Sequence, residues 1–120
     1  MAYQIPILDI SFPAGEDLTE KQFKFVELNS DSEITEATAG DLALGVLQND
    51  PDEDEAGGVR VAGVSKVVAG ETIAPNNLVE VGTDGKAEVQ ATGDGVGICL
   101  EGGDADEVIT ILVIHMPDLT

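Results

Sequence analysis

The chain has 120 residues, 42% of them hydrophobic, and its 24 acids against 5 bases give a formal charge of −19. That length suits one domain, and the apolar residues fall in periodic runs, which argues against disorder. A chain this negative repels phosphate backbones and anionic lipid, and with no Lys/Arg cluster it lacks the counterion release behind nucleic-acid affinity, so neither nucleic acid nor membrane is an expected partner.

The start, "MAYQIPILDISF", has no basic signal-type opening, and no apolar run approaches the roughly 20 residues that span a bilayer. The chain therefore reads as intracellular at synthesis. Helix periodicity is scarce; "DLTEK" at 17–21 suits a single turn.

Val, Ile and Thr number 30 and sit in short segments bounded by Gly, Asn, Asp and Pro, the pattern of strands. The expected strands are 7–12, 23–28, 42–47, 59–68, 78–81, 87–91, 96–100 and 108–114. In "VRVAGVSKVV", Val59, Val61, Gly63, Ser65 and Val67 share one face and are read as inward. Gly63 there leaves room for a neighbouring backbone or a bend.

Asp84-Gly85 predicts a hairpin turn between 81 and 87, because both residues tolerate positive φ. Cys99, the only cysteine, permits no intrachain disulfide and reads as a buried strand residue. The last run, "VITILVI", is apolar on both faces and predicts a central strand, or one covered by another subunit.

A recurrence runs through this pattern. "AGEDLTEKQFKFVELNSD" from Ala14 answers "AGETIAPNNLVEVGTD" from Ala69, at an offset of 53 over "VEL" and "VEV" that slips to 52 by Gly45 and Gly97. Either a unit has been duplicated, or Gly, Asp and Val recur by chance in a small acidic β protein. Closing the sheet would remove its unpaired edges. The expected fold is therefore an all-β, single-domain β-barrel or barrel-like sandwich over 13–120, with an internal two-fold repeat of 14–55 and 69–107.

No catalytic constellation emerges. His115 is the only histidine, none of Ser11, Ser30, Ser32 and Ser65 lies in a nucleophile elbow, and there are few aromatic residues to form a sugar platform. Asp50, Asp52 and Asp54 have the spacing of the first calcium-loop ligands, but Glu55 stands where that loop needs Gly and Val61 where it needs Glu. No phosphate-binding glycine loop is followed by a helix. The expectation is no enzyme, no cofactor and no dedicated metal site; the acidic loops at 50–55 and 101–107 read as a solubilising rim.

The runs "ILDISFPAGEDLTEKQFKFVEL", "GVLQN", "VRVAGVSKVVAG", "LVEVGTDGKAEV" and "VGICLEG" resemble those of the tailed-phage capsid cement, or head decoration, proteins. The resemblance spans roughly residues 7–114 and rests on glycine and valine scaffold motifs, with "DPDEDE" a departure from the family's alanine-rich stretch. It implies a small β-rich protein made in the host cytoplasm and carried on the outer surface of the head in the virion. Its partner would be the major capsid protein, contacted as a homotrimer at threefold positions.

On that reading the segment 1–12 is an extended N-terminal arm that adds to a capsid sheet, or else the domain's own first strand. Tyr3, Ile5, Ile7 and Leu8 are the candidate capsid contacts, being too apolar to trail in water. Arg60 and Lys66, on one side of the long strand, are the candidate rim or intersubunit ion pairs. The competing reading is a small acidic β-barrel module that binds a peptide or a carbohydrate.

Overall fold

The computed structural model describes residues 2–116; Met1 and residues 117–120, the outermost positions of the spans 1–12 and 13–120, lie outside the described residues. Among the described residues nine strands form one sheet: β1 (Ile5–Pro13), β2 (Phe25–Leu28), β3 (Ile34–Glu36), β4 (Gly45–Leu47), β5 (Ala56–Val68), β6 (Leu78–Val81), β7 (Ala87–Val89), β8 (Gly95–Glu101) and β9 (Val108–Met116). The order along the sheet is β3-β2-β4-β5-β9-β8-β6-β7, with β1 paired to β5 outside that path.

Every pairing in the ladder is antiparallel, and the two arms of the sheet repeat one another. In the first arm Val26 pairs with Glu36, Val26 with Gly45, and Val46 with Arg60. In the second arm Val79 pairs with Val89, Val79 with Gly97, and Ile98 with Leu112. The outer hairpins thus correspond at an offset of 53 and the inner strands at 52. Left-handed backbone recurs with them, at Asp54 (φ 69°) and Asp106 (φ 68°).

The closed barrel or sandwich expected from the strand pattern does not form. The eight-strand path curls ~265° round an axis and stays open. The edges that closure would have joined are otherwise occupied. Ala14 bridges Ile34 on β3 and Ala69 bridges Ala87 on β7, each in parallel. Beyond them the Glu16 carboxylate accepts the Glu36 N–H at 2.8 Å, and the Glu71 carboxylate accepts the Val89 N–H at 2.8 Å. Capped in this way, a short edge strand presents no free ladder to another edge.

Two apolar clusters form the core. One gathers Leu18, Val26, Ile34, Leu47 and Val59, the other Phe25, Val67, Ile73, Val79, Ile109 and Ile111. Of the long strand's inward set, Val59, Gly63, Ser65 and Val67 are buried, whereas Val61 is only partly so. The strand β9, between β5 and β8, is the central strand its apolar run predicts. The 81–87 hairpin forms with Asp84 at φ 60° and Gly85 at φ 72°, and Val81 pairs with Ala87. No helix forms at 17–21; Lys21 N–H closes a turn on the Leu18 carbonyl, and Asp17 accepts the Thr19 N–H at 3.0 Å.

Candidate interaction surface

The strand β1 carries the largest run of exposed apolar side chains: Tyr3 precedes it at 44% exposed, and within it Ile5 is 55%, Ile7 74%, Leu8 49% and Ile10 37% exposed. Among the described residues its only strand partner is β5, so its other edge is free. Pro6 suits this position, since an edge strand tolerates a missing N–H. The pairing slips between Pro6 and Leu8 and again between Leu8 and Asp9, so Ile7 bulges from the ladder. Gly63 makes the slip possible: at φ 110° it faces the Ile5 carbonyl, and a Cβ there would lie 2.8 Å from the Ile7 nitrogen.

What holds this apolar strand down is polar. Arg60 is 6% exposed. Its Nε donates to Asp9 Oδ1 at 2.8 Å, Nη2 to Asp9 Oδ2 at 2.9 Å, and Nη1 to Gln4 Oε1 at 2.7 Å and to the Val64 carbonyl at 3.2 Å. A bidentate guanidinium–carboxylate pair fixes orientation as well as distance. At the head of the strand, the Tyr3 N–H donates to Thr110 Oγ1 at 3.1 Å.

Arg60, read from sequence as a rim or intersubunit cation, is thus committed within the chain, and its alternation toward the outer face is met by β1 lying alongside. Lys66 sits 5.7 Å above the Phe23 ring, a cation–π distance, and makes no ion pair among the described residues. Asp9 and Gln4 were not singled out by sequence reasoning; an acid inside an otherwise apolar exposed strand is the signal that could have found Asp9.

Much of the acidic content serves the backbone. Glu55 Oε1 accepts the Asp52 N–H at 2.8 Å and Glu107 Oε1 accepts the Asp104 N–H at 2.6 Å, closing the two acidic loops alike. Lys86 Nζ lies 2.8 Å from Asp106 Oδ1; this hydrogen bond and charge hold the Asp106 carboxyl below its ordinary range and raise the Lys86 amine. Among the described residues no three His, Cys, Asp or Glu side chains converge as metal ligands.

His115 bonds the Leu44 carbonyl through Nε2 at 2.8 Å. Cys99 is buried at 1% exposure, and desolvation pushes its thiol pKa up, the opposite of an activated nucleophile. Among the described residues no helix is long and apolar enough to cross a membrane.

No protein-family model and no curated protein matches the chain. A solved structure does: the N base of head fiber gp8.5 in bacteriophage phi29 is similar, with a TM-score of 0.71 and 18% identity, over 94% of this chain and 98% of that one. At this identity the likeness establishes a shared fold, extending over nearly the whole of both chains.

Proposed function

We propose that the chain is a non-catalytic decoration, or cement, protein bound to the outer surface of an assembled phage head. The observation that carries this reading is the fold shared end to end with a domain of a phage head fiber. The free, apolar edge of β1 supports it. The physical task would be mechanical: a body that contacts several capsid subunits at once adds bonds in parallel with their own, and repetition round a symmetry axis multiplies modest contacts through effective concentration.

In this reading the major capsid protein is the partner, the chain acts as a homotrimer at threefold positions, and Tyr3, Ile5, Ile7 and Leu8 make the capsid contact. An extended capsid segment would add to the edge of β1, main chain giving affinity and alternate side chains giving register. Lys66 is the base available to a neighbouring subunit's carboxylate, while Arg60 serves from behind by holding β1 in place. The protein would be made in the host cytoplasm and end in the virion.

The test is co-sedimentation with purified expanded heads and, separately, with isolated capsid subunits. Saturable binding to the heads with little binding to the subunits is expected, because the footprint spans several of them. Equal one-to-one binding to isolated subunits would contradict the reading.

A further inference from the structure

The two arms of the sheet repeat one another in pairing but not in what covers them. In the first arm Phe25, Val46 and Arg60 stand side by side in register, and at the repeat offsets their counterparts in the second arm are Leu78, Ile98 and Leu112. Residues directly opposite in a ladder share a face, so each set is one cross-strand row. Phe25 and Val46 are fully buried, in one cluster with Val81, Val96 and Val113 of the second arm. The row of the second arm is open: Leu78 is 38% exposed, and Ile98 and Leu112 are partly so. It continues onto Val64, the register partner of Leu112, where the first arm has the polar pair of Arg60 and Asp9. The second row is therefore the more apolar along its length and the less covered.

The same repeat shows what fits over it. Val81, Val96 and Val113, which share a cluster with the first row, have Leu28, Leu44 and Val61 as their counterparts in the first arm. Leu28 is 40% exposed, and Leu44 and Val61 are partly exposed. The chain thus makes one joint, the row of its first arm on the valines of its second, and leaves both halves of a second such joint unfilled.

We infer that a second copy of the chain fills it: the row of Leu78, Ile98 and Leu112 in one copy packs on Leu28, Leu44 and Val61 of the next, continuing the joint that already unites the two arms. Charge favours the same pairing. Two bodies of charge −19 approach most readily where carboxylates do not face each other. The row from Val64 to Leu78 holds no charged residue, and Lys66, two residues past Val64 on the same face, adjoins it. Glu27 and Asp41 border the receiving residues, so the two faces carry opposite charge. Because different patches meet, the joint runs head to tail and repeats until a ring closes. It supplies the homotrimer of the proposed role with a contact surface, but it rests on the internal repeat and not on the phage head.

The experiment is sedimentation velocity of the purified full chain, without heads, over a concentration series in salt that screens the charge. The wild type is expected to form a closed oligomer larger than a dimer. Leu78→Asp, on the row, and Leu28→Asp, on the receiving face, should each weaken association by roughly tenfold or more, since each puts a charge into the joint. Ala105→Asp, which adds the same charge in the loop 101–107, should leave it unchanged. Leu78 and Leu28 are both exposed, so neither change tests folding. An equimolar mixture of the Leu78→Asp and Leu28→Asp chains should stop at a heterodimer, because each keeps the half that the other lacks. A monomeric wild type, association that survives Leu28→Asp, equal weakening by Ala105→Asp, or a mixture that stays monomeric would each overturn the inference. None of these outcomes bears on head binding, which co-sedimentation with heads judges separately.

Discussion

Arg60 grips Asp9 through two parallel hydrogen bonds of 2.8 and 2.9 Å, and this pair ties the most apolar exposed strand of the molecule to its longest one. Asp9 keeps 39% of its side chain in water, so losing the pair does not strand a fully buried charge. Replacing Arg60 by Met is expected to lower stability by about 1.5–3 kcal/mol, the usual range for hydrogen bonds to charged groups. Hydrogen exchange should quicken across 5–13 and change little in the second arm. Uniform protection along the chain would show that β1 does not depend on the pair.

Gly63 meets two demands together: a φ of 110°, and a near neighbour in the Ile5–Ile7 backbone. Gly63→Val should therefore cost about 1–3 kcal/mol for overpacking and a similar amount for strain. Chemical denaturation reads the sum, and an unchanged midpoint would contradict the pairing of β1 with β5.

Glu16 and Glu71 cap the outer edges of β3 and β7 by the same contact. Glu16→Ala combined with Glu71→Ala should lower stability by about 0.5–1.5 kcal/mol per lost hydrogen bond, since water can reach the freed N–H groups. It should also open two edges to strand pairing between molecules. Sedimentation velocity across a concentration series should show association in the double variant and less in the wild type.

Lys86 and Asp106 make a pH prediction. The depressed Asp106 carboxyl contributes stability that is present above its ordinary value of 3.8 and lost as pH falls through its lower folded value. The raised Lys86 amine contributes stability that is full below its ordinary value of 10.5 and lost as pH rises through its higher folded value. Lys86→Met should return the Asp106 midpoint, followed by NMR, toward its ordinary range. The melting temperature should move little, because the carboxylate is solvated.

How far the fold can be read from letters depends on the element. Long valine runs with turn residues at both ends locate β5, β6, β8 and β9 to within a few residues, and Asp84-Gly85 marks its hairpin. β3 is invisible: "ITE" at 34–36 has only three residues and no turn dipeptide, and its loop is held by Asn29, whose side chain accepts the Asp31 and Glu33 N–H groups at 2.9 Å.

The closed barrel is mistaken for a physical reason. Edge protection here comes from single bridges at Ala14 and Ala69 and from two glutamate carboxylates, long-range contacts with no periodic signature. The same holds at the candidate surface. The apolar character of 3–10 is plain in sequence, but its polar anchor joins residues 51 positions apart.

The most direct test of the account is the occupancy of expanded phage heads by the wild-type chain and by the double variant Ile7→Asp, Leu8→Asp, read as copies per shell in an electron-microscopy reconstruction. Both side chains are exposed in the free protein, so the variant should fold with an unchanged melting temperature. Full wild-type occupancy with β1 against the capsid surface is expected, with loss of most copies in the variant. Equal occupancy by a folded double variant would contradict it.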